Sequence, residues 1–377
     1  MAGKASHIHI DHVGSLLRPI PLREDRQRIL GVHDADHNLG AHDNAELRKI
    51  EDRYVDEVVK LQEDVGMPVV TDGEFRRRSW WTDYVLSLTN TSVTYNSKLP
   101  ITWVNAKGDE RPSPGIHVGG KVQWQKSILA EPFKYLKQVA RRTPKVTIPA
   151  PPIIHYFRDE NFVPGAYADI DKFWDDVVKA YRLEIKALAD AGCRHIQLDE
   201  VILAWLCDPR HQALSRTRGD DPVKLVEKYA WVINQAIAER PKDMVVGLHL
   251  CRGNLNAFWG GEGGYEPVAD AIFNKIDADI YLLEYDTARA GDFKPLRHVP
   301  KGKKILLGIV STKDKTLESK DEVRRRIEDA SKHLDHAQLG LCPQCGFSTN
   351  IFGTEFSIED EKRKLGLIVE VADREWK

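Results

Sequence analysis

Two side chains two residues apart in the run MVVGLHLCRGN, His249 and Cys251, are the pair on which chemistry is most readily built. The run is apolar and rich in β-branched residues, so it reads as a strand, and the strand period of two turns both side chains to one side. An imidazole nitrogen and a thiolate sulfur are ligand types that zinc takes, and a rigid strand end fixes them in space. A His-x-Cys pair is a weak motif by itself, because a lone histidine or cysteine near a strand end is more often packing. Its meaning depends on what else the fold brings beside it.

The bulk of the chain points to a small-molecule partner. Its 377 residues can bury a large core, and 55 basic residues nearly cancel 57 acidic ones, so neither nucleic acid nor an anionic membrane surface is suggested. No apolar run approaches the roughly 20 residues that span a bilayer, and the N-terminal MAGKASHIHID lacks a signal-peptide apolar region. A cytoplasmic protein is therefore expected. Cys193, Cys207, Cys251, Cys342 and Cys345 form an odd set in a long chain, which favours thiols or metal ligands over a disulfide frame. Of these, Cys193 and Cys207 are expected to be inert.

Eight strand-like runs recur: IHIDHVGS, MPVVTDGE, KVTIPAP, RHIQLDE, MVVGLHLC, DIYLLEYD, KILLGIVST and LGLCPQC. Each has an apolar body and a polar C-terminal end, as expected of a parallel sheet buried on both faces. Helical patterns lie between most of them. Leu47, Ile50, Tyr54, Val58 and Leu61 form one apolar stripe over Ala45 to Gly66; Phe173, Val177, Tyr181, Ile185 and Leu188 form another over Ile170 to Ala191, with Gly192 placed to end it. Asp221 before Pro222 is an N-cap signal, Ser319 with Glu322 a capping box, and Ser357 opens a final helix. Eight alternations that close on themselves make a (β/α)8 TIM barrel, with a doubly wound sheet as the other architecture considered. The chain is read as a single domain over 1–377. Residues 20–44 read as a polar, His-rich connection, and about 85–142 as an insertion of turns and short strands over the barrel mouth.

A barrel gathers its strand ends. Ser15, Glu74, Asp199, Glu200, His249, Cys251, Glu284 and Cys345 would then meet at the C-terminal mouth. His249, Cys251, Glu284 and Cys345 can surround Zn²⁺ with one imidazole, two thiolates and a carboxylate. Such a site exchanges its oxygen ligand for an incoming thiol and lowers that thiol's pKa from about 8.5. The chemistry suggested is thiol alkylation. Two rival readings of CPQC stand beside it: a redox pair of Cys342 and Cys345, or Cys342 in place of Glu284 in a closed structural site.

HVGSLLRP, VVTDGEFRR, IQLDE, LHLCRGN, LLEYD and CPQCGF, in this order, resemble the C-terminal half of cobalamin-independent methionine synthase from about residue 10 onward. The resemblance implies zinc on His249, Cys251, Glu284 and Cys345. It implies further that Gly14 and Ser15 hold the carboxylate of homocysteine and that Glu74 and Asp199 hold its amine, both at the catalytic centre; turn N–H groups suit a carboxylate and two carboxylates suit an ammonium. Departures from the family pattern concern the methyl donor. The family's N-terminal barrel half has no counterpart here. Where a tryptophan-serine platform should follow strand three the chain has His155, Tyr156 and Phe157, the proton-transfer histidine is replaced by Val310, and strand four continues as VILAWLCDP.

The expected partners are a small thiol and a methyl or alkyl donor, folate or another. Epoxide opening of the coenzyme M transferase kind, a metal-free uroporphyrinogen decarboxylase-like reaction, and ligand binding without turnover are the alternatives. Trp80, Trp81, Tyr84, Trp103 and Trp124 offer walls for a flat or apolar donor, lid packing, or the face of a homodimer. Arg76, Arg77 and Arg78 could meet an anionic donor tail or be solvated, and His12 is a pocket or a core histidine.

Overall fold

The structure is a computed structural model that describes residues 4–31, 42–94, 99–160, 167 and 169–376. Six strands, Val146–Pro149, His195–Glu200, Val245–Leu250, Ile280–Glu284, Lys304–Val310 and Leu339–Pro343, pair in chain order as one parallel sheet. Past one edge, Val69–Val70 pairs in parallel with Thr143–Pro144; past the other, Ile10 bridges in parallel to Leu341. The two outer segments meet where Leu16 N–H donates to Gly73 O (3.1 Å) and Thr71 Oγ1 to Gly14 O (2.6 Å). Eight segments therefore close in cyclic order, and the fold is the (β/α)8 barrel. Strands one and two are far shorter than their apolar runs suggest, because a side-chain bond replaces part of the ladder at the closure.

Inward-facing positions along parallel strands alternate by two, so they stack in layers. Ile8, Val13, Ile280, Leu282, Leu306 and Cys342 form a small apolar cluster separate from the large core under the helices. Beside it climbs a polar ladder. Lys145 Nζ, with no solvent exposure of its side chain, donates to Asp11 Oδ1 (2.7 Å), Gln197 Oε1 (2.8 Å) and His12 O. Gln197 Nε2 in turn donates to Asp199 Oδ1 at 2.7 Å. A buried ammonium thus orients, through one amide, a carboxylate at the mouth.

The helices follow their capping signals. Asn44 caps Ala45–Asp64, Asp169 caps Ile170–Asp190, Asp221 caps Pro222–Ile237 and Ser319 caps Lys320–Ser331, each side chain accepting a first-turn N–H. Gly192 takes φ +90° beyond the second of these. The final helix runs Ile358–Trp376, and none of the helices among the described residues is long and apolar enough to cross a membrane. Two features differ from the sequence expectation. Ile20–Leu30 is helical rather than a connection; its buried face is only Leu22 and Arg26, the latter paired with Glu51 at 3.4 Å, so it carries no apolar period, and residues 32–41 lie outside the description. After Val245–Leu250 and Ile280–Glu284 the chain makes 3-10 and π turns instead of α-helices.

Within 85–142, Thr91–Thr94 pairs antiparallel with Gly115–Val118, Thr102–Val104 with Glu110–Pro112, and Ala130–Val139 is helical. Val104 bridges to Trp259 beyond the fifth strand, which carries this segment across the strand ends.

One side chain ties the mouth loops together. The buried Arg18 guanidinium donates to Ser348 O (2.8 Å), Asn350 O (3.2 Å), Glu74 O (2.7 Å) and Arg77 O (3.1 Å). Glu74 sits at φ +61°, a left-handed conformation disfavoured for glutamate, and the Arg18 contact is one of the forces that hold it. Next to Arg18, Leu17 N–H donates to Glu361 Oε2 at 2.9 Å, and burial pushes the Glu361 carboxyl up to about 8.

Replacing Arg18 with Met should lower unfolding stability by about 3–5 kcal/mol, the range for removing one member of a buried charged network; urea unfolding measures it, and a loss within about 1 kcal/mol would mean that water takes over the four carbonyls. Glu361, protonated in the fold from about pH 4.3 to about 8 but ionised when unfolded in that window, makes stability fall as pH rises through it. The Glu361→Gln variant should therefore gain on the wild type in thermal midpoint between pH 5 and 9, and parallel midpoints across that range would refute the shift.

Candidate metal centre and active-site cavity

His249 Nε2 or Nδ1, Cys251 Sγ and Cys345 Sγ all lie within 4.8 Å of one another, and all three residues are buried. Each is set by its strand. His249 is inward-facing on Val245–Leu250, directly in register with Asp199 on the neighbouring strand. Its Nδ1 lies 3.1 Å from Leu282 O, so the ring donates there and its Nε2, with no hydrogen-bond partner, is the nitrogen left for a metal. Cys251 follows the same strand, and Gly253 N–H donates to its sulfur at 3.4 Å. Cys345, past Leu339–Pro343, brings its Sγ to 3.6 Å from that of Cys251.

The donor set fits zinc. With Zn–S bonds of about 2.3 Å, two sulfurs of a tetrahedral site stand about 3.8 Å apart, close to the separation found. The Cys345 thiol beside it pulls the Cys251 thiol well below the usual cysteine range, with the His249 imidazole adding to the effect, and Cys345 is pushed up in exchange. Burial opposes a charge on His249, but the Cys251 thiolate outweighs it and raises the imidazole. Protons on these close ligand atoms are what a cation would displace.

Glu284 stands beside this triangle and outside it. Its Oε1 accepts from Arg289 Nε (3.2 Å) and Nη2 (2.9 Å), and its Oε2 from Arg252 N–H (2.6 Å) and Gln344 Nε2 (3.1 Å). Burial alone would raise this carboxyl; Lys313, Arg289 and Arg252 outweigh burial and hold it at about 2.

A small cavity opens onto the triangle, and Ser15, Glu74 and Asp199 line it together with His249, Cys251 and Cys345. Gly14 is not on its wall. It lies one residue back at φ +121°, where a Cβ would come within 2.4 Å of Thr147 Cγ2, so only glycine lets Thr147 approach. Thr147 Oγ1 donates to Glu74 Oε1 (2.5 Å) and receives Arg77 Nη1 (3.0 Å), while Glu74 Oε2 is buried with no hydrogen-bond partner. Burial pushes the Asp199 carboxyl up to about 7; nearby Glu74 adds to this and His249 opposes it. Two buried carboxyls facing one cavity, one of them with an oxygen that has no hydrogen-bond partner, are a site prepared for a cation.

Other residues find structural places. Cys342 packs in the barrel interior with its Sγ on Leu306 O, and burial raises its thiol, which separates it from Cys345. Glu200 caps the turn at Leu203 N–H (2.8 Å), outside the cavity. Arg76 pairs with Glu51 and Asp52, and Arg76, Arg77 and Arg78 are all buried instead of forming a solvated run. His155, Tyr156 and Phe157 turn into the outer core, where His155 Nδ1 meets Tyr229 Oη at 2.8 Å. His12 lies buried in the barrel beside Lys145. Of the loop aromatics, Trp80 and Trp103 line the cavity, whereas Trp81 and Tyr84 pack in the core and Trp124 Nε1 bonds Glu184 at 2.6 Å. Trp103 reaches in from the 85–142 segment and rests on Gly253, where a Cβ would lie 2.3 Å from its ring. Sequence reasoning singled out none of Thr147, Gln197, Gln344, Arg289 and Lys313; Gln197 and Gln344 stand inside the quoted IQLDE and CPQCGF runs, beside the residues that drew attention.

Comparison with known proteins gives the family. Residues 30–374 match the family described as cobalamin-independent synthase, catalytic domain, a span that leaves out the Gly14–Ser15 turn. The Bacillus subtilis proteins YxjG and YxjH are 37% and 35% identical, each alignment covering 97% of this chain and 94% of the relative. A 5-methyltetrahydropteroyltriglutamate–homocysteine methyltransferase of Bacillus cereus is 22% identical over 82% of this chain and 37% of its own length. Among solved structures, a candidate vitamin-B12-independent methionine synthase from Listeria monocytogenes superposes with a TM-score of 0.75 at 31% identity, covering 98% of both chains. A Shewanella B12-independent methionine synthase in complex with selenomethionine shares the fold at TM-score 0.66 and 22% identity, over 88% of this chain and 89% of that one. The chain belongs to the family of cobalamin-independent synthase catalytic domains.

Proposed function

We propose that the protein transfers a methyl group to a low-molecular-weight thiol, homocysteine being the acceptor that the site suits best. The observation that carries this reading is the His249–Cys251–Cys345 triangle sharing one buried cavity with the Glu74–Asp199 pair. A thiol amino acid presents a sulfur and an ammonium a few bonds apart, and the two groups of residues receive one each.

His249, Cys251 and Cys345 would hold zinc, with Glu284 as the fourth residue of the set. Zinc there supplies Lewis acidity that favours the thiolate form of a small thiol at neutral pH. Glu74 Oε2 and Asp199 hold the acceptor's ammonium, and ionisation of Asp199 near pH 7 strengthens that hold. Ser15 and the backbone after Gly14 receive its carboxylate. Trp103 and Trp80 close the cavity over the acceptor sulfur, which excludes water and confines the donor's methyl group to an in-line approach.

A second reading, alkyl transfer from another electrophile such as an epoxide, draws on one observation. The aromatics after strand three are packed into the outer core, and Val310 is a fully buried strand residue, so the positions that would serve a pterin donor in the family do not face the cavity. A screen of methyl-folates, methylcobalamin and epoxides against homocysteine separates the two.

Cys251→Ser and Cys345→Ser should each lose zinc and methyl transfer together, with metal analysis and a methionine-formation assay as the measures; a zinc-free variant that still turns over would end the proposal. Glu74→Gln should retain zinc while its homocysteine dissociation constant rises about tenfold, or ~1.4 kcal/mol. An unchanged constant by calorimetry would remove Glu74 from the amine site.

A further inference from the structure

The groups that keep Glu284 beside the metal triangle form a built site of their own. Arg289 grips Oε1 with two nitrogens and reaches Asp286 Oδ1 at 3.3 Å, and Ser311 Oγ donates to the other oxygen of Asp286 at 2.8 Å. Lys313 Nζ stands 3.9 Å from Glu284 Oε1, buried and with no hydrogen-bond partner. Arg289 is itself held in place, its guanidinium 4.5 Å over the Trp259 ring and its carbonyl receiving Gly263 N–H at 2.9 Å. Arg289 and Lys313 are therefore two fixed cations beside one fixed carboxylate, Asp286, with the buried Arg252 guanidinium adjoining them, and the pocket carries excess positive charge until Glu284 enters it.

We propose that Arg289 and Lys313 form a seat for Glu284, which alternates between that seat and the metal position beside His249, Cys251 and Cys345. The inference rests on the reading that a divalent cation occupies the triangle. Its physical reason is charge. Two thiolates and a carboxylate leave a divalent site with one net negative charge, and a further thiolate would double that in a buried, low-dielectric cavity. Moving Glu284 onto the cationic seat keeps the metal cluster singly negative and lowers the excess positive charge of the seat. The displacement needed is a side-chain rotation at the end of Ile280–Glu284, since its backbone is fixed on both sides by the sheet. Arg289 and Lys313 are positioning residues in this arrangement. They set how readily a thiol gains the fourth metal position, and they need not touch it.

The test compares zinc affinity by chelator competition for wild type, Arg289→Met, Lys313→Met and the double variant Glu284→Ala/Arg289→Met. With the seat removed, Glu284 is free for the metal. Arg289→Met should bind zinc about tenfold more tightly, the gain should vanish in the double variant, and Arg289→Lys should restore part of the wild-type value. A purely structural arginine would give the opposite sign. In zinc-edge X-ray absorption with homocysteine added, wild type should exchange a light scatterer for sulfur, whereas Arg289→Met should retain the light scatterer. Zinc affinity that is equal or weaker in Arg289→Met, with circular dichroism unchanged, overturns the seat. If that variant does not fold, Lys313→Met, which has no hydrogen bond to lose, decides the same question by the same sign. A wild type that takes up no sulfur from homocysteine overturns the methyl-transfer reading instead, and the affinity comparison still decides the seat.

Discussion

A single guanidinium buried beneath the barrel mouth fixes the geometry on which the rest of the site depends. Arg18 gives its protons to carbonyls from two loops, the one that carries Glu74 and the one that follows Cys345. Those loops come from the second and eighth segments, which lie on either side of the first around the ring, and the first two segments are joined by only a short ladder. A charged donor with several forked hydrogen bonds can do there what a longer sheet would do elsewhere. Burial brings the Arg18 pKa down to about 10, so it stays charged at neutral pH and the carbonyls keep a cationic partner. The left-handed backbone at Glu74 is part of this arrangement: it aims the side chain inward while its carbonyl turns back to Arg18.

Charge organises the mouth around that frame. On the cavity side the carboxyls of Glu74 and Asp199 lean on neutral or cationic supports: Thr147 and Arg77 behind Glu74, and Gln197 with Lys145 below Asp199. On the metal side Arg289, Lys313 and the Arg252 N–H lie behind Glu284. The result is an anionic cavity with its compensating cations placed one layer back, where they steady the carboxylates without competing for a ligand. Ionisable groups in low dielectric need such partners, because an isolated buried charge neutralises itself by shifting its pKa. The same logic accounts for two of the buried arginines after strand two: Arg77 stands beside Glu74, and Arg76 pairs with Glu51 and Asp52.

The cavity also differs from the family pattern in what closes it. Strand three ends in a short helix, Pro152–Tyr156, whose aromatics join the outer core, so the wall opposite the metal triangle comes from Trp80 and from Trp103 of the 85–142 segment. A tryptophan lying on a glycine near Cys251 brings a large apolar surface over the cavity. The shape of the cavity mouth is therefore set in large part by a segment with its own small sheets and is largely independent of the barrel strands.

The sequence by itself determined the elements and most of the side chains that meet at the barrel mouth. Short apolar runs with polar ends, alternating with capped amphipathic helices, leave few architectures, and a period of two fixes which side of a strand His249, Asp199 and Glu284 must face. These are local properties, carried by residues within one element. It did not announce the Ile20–Leu30 helix, whose buried face is one leucine and an arginine, because an ion pair across 25 positions leaves no periodic mark. Nor could it choose between Cys342 and Cys345: they are three residues apart, and the bend after Pro343 is what turns one into the barrel and the other toward Cys251. Only the tertiary structure decided that Glu284 lies against Arg289 and Lys313, that Trp103 covers the cavity, and that Arg18 joins loops 56 and 330 residues away. Each of those is a contact between distant segments whose strength comes from burial and mutual charge, quantities that exist only once the chain has closed on itself.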